Sequence, residues 1–452
     1  MVRPFGKKKF TVDVRKSIVR GHELGAHPKI LATQFGCSSS QIYRILKNNR
    51  DDDAQPVEQA GFRRSFSTID HIHSIQRLLE VGREYQQPLT LVFIDFHRAF
   101  DSVEPQAIWE SLKSQGVQPA YIALLQQCYT NCTTTITLFH KKIEISITRG
   151  VRQEDPISPN LFSACLESVF NKMSWQHLRG DGDDENDKAK LLPGIRINGQ
   201  NLTHLRFADD IVLVASIPKA ASLMIQELVE MCGKVGLRMN TNKTKVMRIK
   251  FSSQSPVNVT DNNATTCIEE VNEYDYLGGL LNHNNELEPQ LHRRRRAAWA
   301  AFNNIKNTTD ALSCPRIRAQ LFDSIVLPAL TDPRSIRNTI SRNLIIGTTS
   351  EESAQGRYLS TIGGPRSPTS HLEKKLGWAG HILRRNDGRW TRLVQEWYPT
   401  GEKRLVGRPR MRCCDSLQKE ISLFDGEDLK THWSTIAKDR MAWKAVIRDH
   451  IR

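Results

Sequence analysis

Apolar and polar positions along this chain recur in two rhythms, and each change of rhythm predicts a change of element. From residue 8 to residue 50 the apolar residues fall in three short groups at helical spacing. Val14 and Ile18 form the apolar face of the first, Gly25 breaks the chain, and Pro28 suits the first turn of the second, which ends near Phe35 and Gly36. Ser38 is placed to cap the third helix, with Ile42, Ile45 and Leu46 on one side and Arg44 and Lys47 outside. Three small helices with a tight second turn have helix-turn-helix form, and the third of them can enter a major groove. Gln41, Arg44 and Lys47 are then its candidate DNA contacts, a plain helical unit being the other reading. Asp51-Asp52-Asp53 and Pro56 mark residues 51–58 as a linker.

From 59 to 282 short apolar runs alternate with amphipathic stretches, the pattern of an α+β domain. Leu89 to Phe96 is almost unbroken and carries Asp95 at its end, and a helix is predicted from about Arg98 to Gln115. Asn198-Gly199 is a hairpin signal within Ile195 to Asn201. Leu205 to Ala215 is a second apolar run, interrupted only by Asp209-Asp210, and the acidic run Asp181 to Asp187 is a solvated loop. Residues 283–330 are helical in pattern and include Arg293-Arg294-Arg295-Arg296. Residues 331–370 hold no sustained period and form a linker or a degraded segment. The remainder, 371–452, is a basic C-terminal region. Between 371 and 412 eleven Lys or Arg stand against four Asp or Glu, with Trp378, Trp390 and Trp397 interleaved, which suits either nucleic-acid contact or an aromatic core.

Composition narrows this picture in one respect. A formal charge of +15 sets up a field that attracts polyanions, of which nucleic acid is the usual one in cells, with plain solubility as the alternative. The nine cysteines show no paired zinc spacing and are expected to be reduced thiols of an intracellular protein, in nucleus or cytoplasm. No apolar run is long enough for a membrane span, and no apolar core follows the basic N-terminus, so no membrane partner is expected.

The strongest chemical signal is Asp95 with Asp209 and Asp210. Adding a nucleotide to a primer spreads negative charge over phosphate oxygens and a leaving pyrophosphate, and two hard cations roughly 4 Å apart can clamp the attacking and leaving oxygens. Magnesium needs carboxylates converging from rigid elements, and Asp95 ends one apolar strand while Asp209-Asp210 occupy the tip of a probable hairpin in FADDIVLV. Adjacent aspartates taken alone more often just make a turn.

The surrounding residues supply a resemblance. LVFIDFHRAFDSV resembles the first palm motif of non-LTR retrotransposon reverse transcriptases, and RGVRQEDPISPNLFSACLE the second. LRFADDIVLVA is similar to the third, GLRMNTNKTKVM to the fourth and YDYLGGLL to the fifth, in the family's order. QAGFRRSFSTIDHI resembles the segment before the first motif, and LGWAGHILRRNDGRW and GRPRMR resemble the tail of such elements. GAHPKILATQFGCSSSQIYRILK resembles the N-terminal module of mariner-type transposases.

The resemblance implies a right-hand polymerase palm, an antiparallel sheet backed by helices, with partial fingers and a helical thumb behind the helix-turn-helix module. It implies RNA-directed DNA synthesis on an RNA template and DNA primer from deoxynucleoside triphosphates, with two Mg2+ ions (Mn2+ as the alternative). Asp95, Asp209 and Asp210 would hold the metals, the Phe96 carbonyl helping. Phe100 would block a ribose 2′-hydroxyl, although packing on the first helix turn is its other reading. Gln153 would touch the nucleotide, and Lys243 would protonate the leaving pyrophosphate, a surface lysine being the default otherwise. Tyr276, Leu277 and Gly278 would grip the primer end, and Asp101 would order local structure. The N-terminal module would add contact with double-stranded DNA.

Three departures from the family matter. Glu154 stands where the family has a glycine that lets the backbone pass close to the nucleotide. At about 4 Å and an effective dielectric near 20, its charge beside each phosphate charge costs on the order of 4 kcal/mol, so even a fraction lowers nucleotide affinity tenfold. The fingers strands expected before Gln59, with the basic residues that hold the triphosphate, are replaced by the helix-turn-helix residues. Nothing within these residues resembles the endonuclease of complete elements, and the stretch after Leu330 is expected to be shortened and scrambled. The expectation is a degenerate polymerase, with a non-catalytic nucleic-acid-binding relic as the alternative.

Overall fold

The computed structural model describes residues 32–35, 57–63, 66–177, 193–261, 264–286, 288–326, 328–329, 369–385, 388–399, 401, 404, 412–422 and 432–451. Of the N-terminal module only residues 32–35 are among these, a single helical turn, and Gln41, Arg44 and Lys47 lie outside the described residues.

The first long helix, α1 (Thr68–Glu84), starts at a capping box. Ser67 Oγ accepts from the Ile69 N–H and the Asp70 carboxylate accepts from the Ser67 N–H, so two otherwise orphaned donors are satisfied. Strand β1 (Thr90–Ile94) follows with all five residues buried. Next come α2 (Ala99–Ser102) and α3 (Pro105–Ser114) in place of one continuous helix from Arg98. Pro105 holds Glu104 extended, with ψ of 126°, and the proline ring then opens a new helix. Helix α4 (Pro119–Tyr129) leads into a solvent-exposed ribbon, β2 (Thr133–Leu138) and β3 (Lys141–Ser146), and then α5 (Ser158–Asn171) and α6 (Ser174–His177).

The hairpin β4 (Ile195–Ile197) and β5 (Gln200–Leu202) turns at Asn198-Gly199, both at positive φ as its signal predicts. Strands β6 (His204–Phe207) and β7 (Asp210–Ala215), helix α7 (Pro218–Gly233) and strand β8 (Lys245–Arg248) complete the palm. Two more ribbons follow, β9 (Asn258–Asp261) with β10 (Ala264–Cys267), and β11 (Glu273–Tyr276) with β12 (Gly279–Asn282). Helices α8 (Glu288–Ala311) and α9 (Pro315–Leu321) and a π turn at Phe322–Val326 fill the stretch predicted to be helical. The C-terminal helices are α10 (Thr369–Leu383), α11 (Trp390–Glu396), α12 (Cys413–Ser422), α13 (Trp433–Lys438) and α14 (Arg440–Ile451).

The central sheet is antiparallel, in the order β6-β7-β1-β8, with helices on one side and α1 and the β11–β12 ribbon on the other. That explains the unbroken apolar run of β1. Val92 and Ile94 face a core shared with α3, α5 and α7, while Leu91 and Phe93 face a second core shared with α1, Tyr276 and Leu281. A strand buried on both faces has no polar side to display. This is the α+β right-hand palm that the motif order implies.

The C-terminal helices have a core of their own, built from Leu376, Leu383, Leu417, Ile421, Trp433 and Trp443. Trp390 and Trp397 are buried against α1, so these two tryptophans of the basic stretch pack the interior, while Trp378 is partly buried. Among the described residues no helix is long and apolar enough to cross a membrane.

Candidate active site

The register of the sheet brings the aspartates to one edge. Phe207 pairs with Asp210, which leaves Ala208 and Asp209 as a two-residue turn, with Ala208 at φ +58°. Ile94 pairs with Ile211, so Asp95, the next residue, leaves β1 beside Asp210. Asp95 is fixed through its backbone: its carbonyl accepts from the Asn240 N–H (2.8 Å) and its N–H donates to Thr244 Oγ1 (3.3 Å). The His97 N–H donates to the Arg238 carbonyl (2.9 Å), and Phe96 lies opposite Met239. In that pairing the Phe96 carbonyl points away from Met239.

Electrostatics mark this edge as incomplete. Burial raises the Asp209 carboxyl above its usual range, and Asp95 adds to the shift. Burial, then the charges of Asp209 and Asp95, push Asp210 up to about 6, although part of its side chain meets solvent. Asp95 Oδ2 is buried with no hydrogen-bond partner. Lys243 Nζ stands 4.0 Å from that oxygen, and its side chain is largely exposed. Neighbouring carboxylates beside a buried oxygen that has no hydrogen bond favour a cation over bulk water. As they stand, no three His, Cys, Asp or Glu side chains among the described residues converge tightly enough to hold an ion.

The other predicted residues among those described have these surroundings. The Phe100 ring stacks on Phe162 at 4.4 Å and stays half-exposed, so it packs the core and presents a face at once. The loop with Gln153 is tied down beside it: the Gly150 N–H donates to the Val103 carbonyl, the Val151 N–H to the Phe100 carbonyl, and Gln153 Nε2 to Asp101 Oδ1 (2.8 Å). Asp101 thus orders the loop, in line with its expected local role. Glu154 occupies a left-handed conformation, φ +64°, with an exposed side chain. Of the three residues expected to grip the primer, Tyr276 is buried, with its ring 5.7 Å from that of Phe93. Only Leu277 and Gly278, at φ +50° and +77°, form the projecting turn.

Gln59 and Phe62 escaped the residue-by-residue reading, although QAGF was in view. Gln59 Oε1 accepts from the Gly61 N–H (2.7 Å) and from the Ala208 N–H (3.1 Å), so it holds the turn that carries Asp209. A Cβ on Gly61 would lie 2.3 Å from the Ala208 nitrogen, which restricts the position to glycine. Phe62 is 55% exposed and meets Phe100 edge-on at 6.5 Å.

The comparisons show the family. Residues 31–280 match the reverse transcriptase (RNA-dependent DNA polymerase) family. A transposon-derived protein of Caenorhabditis elegans is 48% identical over 273 residues, covering 56% of this chain and 98% of that one. Pol polyproteins from R2 retrotransposable elements are 24% identical in Nasonia vitripennis and 21% in Drosophila melanogaster. They align with 53% and 49% of this chain but only 23% and 20% of their own length. Among solved structures, Candida tropicalis telomerase bound to a telomeric RNA fragment aligns over 85% of this chain and 52% of its own, at 14% identity and a TM-score of 0.38.

The fold and the motif order define a nucleic-acid polymerase palm. The chain belongs to the reverse transcriptase family, with non-LTR retrotransposon proteins among its relatives. The matched region begins at residue 31, inside the stretch that resembles a transposase module.

Proposed function

We propose that this palm extends a DNA primer on an RNA template by two-metal nucleotidyl transfer from deoxynucleoside triphosphates. The observation that carries the reading is the meeting of Asp95, Asp209 and Asp210 at one sheet edge, with Asp95 Oδ2 buried, without a hydrogen bond and 4.0 Å from Lys243 Nζ. Asp95, Asp209 and Asp210 would hold two Mg2+ ions, or Mn2+, and the Phe96 carbonyl, turned away from Met239, is available to help. Such ions would lower the pKa of the primer 3′-hydroxyl and neutralise charge developing on the phosphate.

The chain's own residues have separable tasks. Phe100 closes the space where a ribose 2′-hydroxyl would sit. Gln153, steadied by Asp101, faces the nucleotide. Lys243 is within reach of the aspartate edge and gives its proton to the departing pyrophosphate. The Leu277-Gly278 turn holds the primer end, and α8 supports it: Arg294 Nη2 donates to the Gly278 carbonyl (3.1 Å), the Leu280 N–H to Gln290 Oε1 (3.0 Å), and Arg293 pairs with Asp275. A helix so anchored moves with the turn, which suits a thumb. Double-stranded DNA binding by Gln41, Arg44 and Lys47 belongs to the same proposal, as do the domain limits given above.

A second reading, a non-catalytic nucleic-acid-binding relic, draws on Glu154. A glutamate in a conformation suited to glycine is a local lesion. Primer extension on poly(rA)–oligo(dT) with dTTP and Mg2+ separates the two. The polymerase reading predicts extension by the chain or by Glu154→Gly, abolished by Asp209→Asn. Binding of the duplex without extension by either protein would leave the relic.

A further inference from the structure

The C-terminal helices touch the palm at a place with consequences for catalysis. The Val57 N–H donates to the Gly388 carbonyl (2.7 Å), and Val57 runs parallel to Arg389 as a one-residue bridge. Arg389 is buried, pairs with the buried Asp70 at 3.0 Å, and lays its guanidinium 4.1 Å from the centre of the Phe66 ring. Thr391 Oγ1 donates to the Asp70 carbonyl (3.3 Å), and Gln395 bonds His73 (2.8 Å). Charge pairs this deeply buried hold only one geometry, because leaving either partner alone is costly.

The strand so gripped continues straight to the catalytic turn. The Arg206 N–H donates to the Glu58 carbonyl and the Ala60 N–H to the Arg206 carbonyl, each at 2.9 Å, so residues 58–60 add a parallel edge to β6. Arg206 itself is buried and pairs with Glu167 at 2.8 Å. Between those two backbone bonds sits Gln59, whose Oε1 holds the Ala208 N–H. Because Oε1 accepts from two backbone donors, the amide orientation is fixed: a flipped amide would aim N–H at N–H. The path from Gly388 to Ala208, the neighbour of Asp209, is therefore made of directed bonds.

We infer that the C-terminal helical unit is a working part of the active site: Gly388 and Arg389 fix the Val57–Gly61 strand, and Gln59 on that strand positions the Ala208–Asp209 turn. Gln59 and Arg389 are positioning residues. The catalytic meaning of the inference rests on the polymerase reading. Its physical content does not, and the test is chosen accordingly.

Hydrogen exchange on the full-length chain reads the coupling without any need for polymerase activity. Gln59→Leu is expected to raise exchange in a peptide covering 204–210 by tenfold or more at the Ala208 amide. Arg389→Met is expected to raise exchange at 57–61 and, through it, at 204–210, with β1 and β8 unchanged and Arg389→Lys in part restored. Where Arg389→Met loosens the whole C-terminal unit, the 204–210 peptide must still respond. Exchange that rises at 57–61 and 388–396 while 204–210 keeps its protection would overturn the inference, as would a uniform rise across the sheet. In a chain active in primer extension, Gln59→Leu lowers kcat with little change in KM for dTTP, whereas a loosened nucleotide pocket would raise KM.

Discussion

Replacing Glu154 with glycine separates the two costs assigned to that residue. The first is conformational: at φ +64° an L-residue brings its Cβ against the following carbonyl, at about 1–2 kcal/mol. Glycine removes that strain but gains freedom in the unfolded chain, worth roughly 0.5–1 kcal/mol in the other direction. The side chain is exposed, so little packing is lost. The net expectation is a gain of about 0.5–1 kcal/mol, or a rise of about 2 °C in Tm for a protein of this size. The second cost is electrostatic and falls on the bound triphosphate, not on the fold. Thermal melts of Glu154→Gly, Glu154→Ala and Glu154→Gln distinguish them, because only glycine relieves the left-handed strain. Titration with dTTP should then show all three tightening nucleotide binding relative to the parent. If alanine stabilises the fold as much as glycine does, the conformational argument fails. If none of the three changes dTTP affinity, the charge argument fails.

Other expectations follow from the same geometry. Asp210 has its folded pKa raised to about 6 from an ordinary 3.8, so protonation favours the fold: the metal-free protein should gain stability as pH falls from 7 through 6 towards 4, and lose part of that dependence in Asp210→Asn, since Asp209 is raised as well. Thermal melts across that range check it, and added Mg2+ at pH 7.5 should raise Tm in the parent more than in the variant. Phe100→Ala should admit ribonucleotides in primer extension and, because the ring stacks on Phe162, cost about 2 kcal/mol by urea unfolding. Trp443 is 1% exposed and donates from Nε1 to the Leu376 carbonyl, so Trp443→Ala should cost about 3–5 kcal/mol and open the C-terminal helices to protease, an effect a nucleic-acid-stacking tryptophan would not show.

Much of the site was legible because its signals are local. The apolar runs ending at Asp95 and flanking Asp209-Asp210 announce three neighbouring strands, and the Asn198-Gly199 turn is written in its own residues. Pro105, which divides the helix predicted from Arg98 to Gln115, is equally local and was available to the same reasoning. What stayed out of reach depends on distant partners. Tyr276 sits in a motif associated with primer contact, yet its burial is decided by Phe93 and α1 on other elements. The tryptophans in the basic stretch read equally well as a stacking surface until α1 and the C-terminal helices supply the core they fill. Gln59 carries no charge and no periodic mark, and its importance appears only when Ala208 is brought beside it.

The central claim is that Asp95, Asp209 and Asp210 together hold divalent ions, and Mn2+ binding followed by electron paramagnetic resonance tests it most directly. Titrating the full-length chain with Mn2+ at pH 7.5 should give a saturable loss of the free-ion signal that Mg2+ competes away. Asp209→Asn and Asp95→Asn should each remove that binding while the far-ultraviolet circular dichroism stays unchanged. Mn2+ binding of equal strength in the parent and both variants would contradict the account.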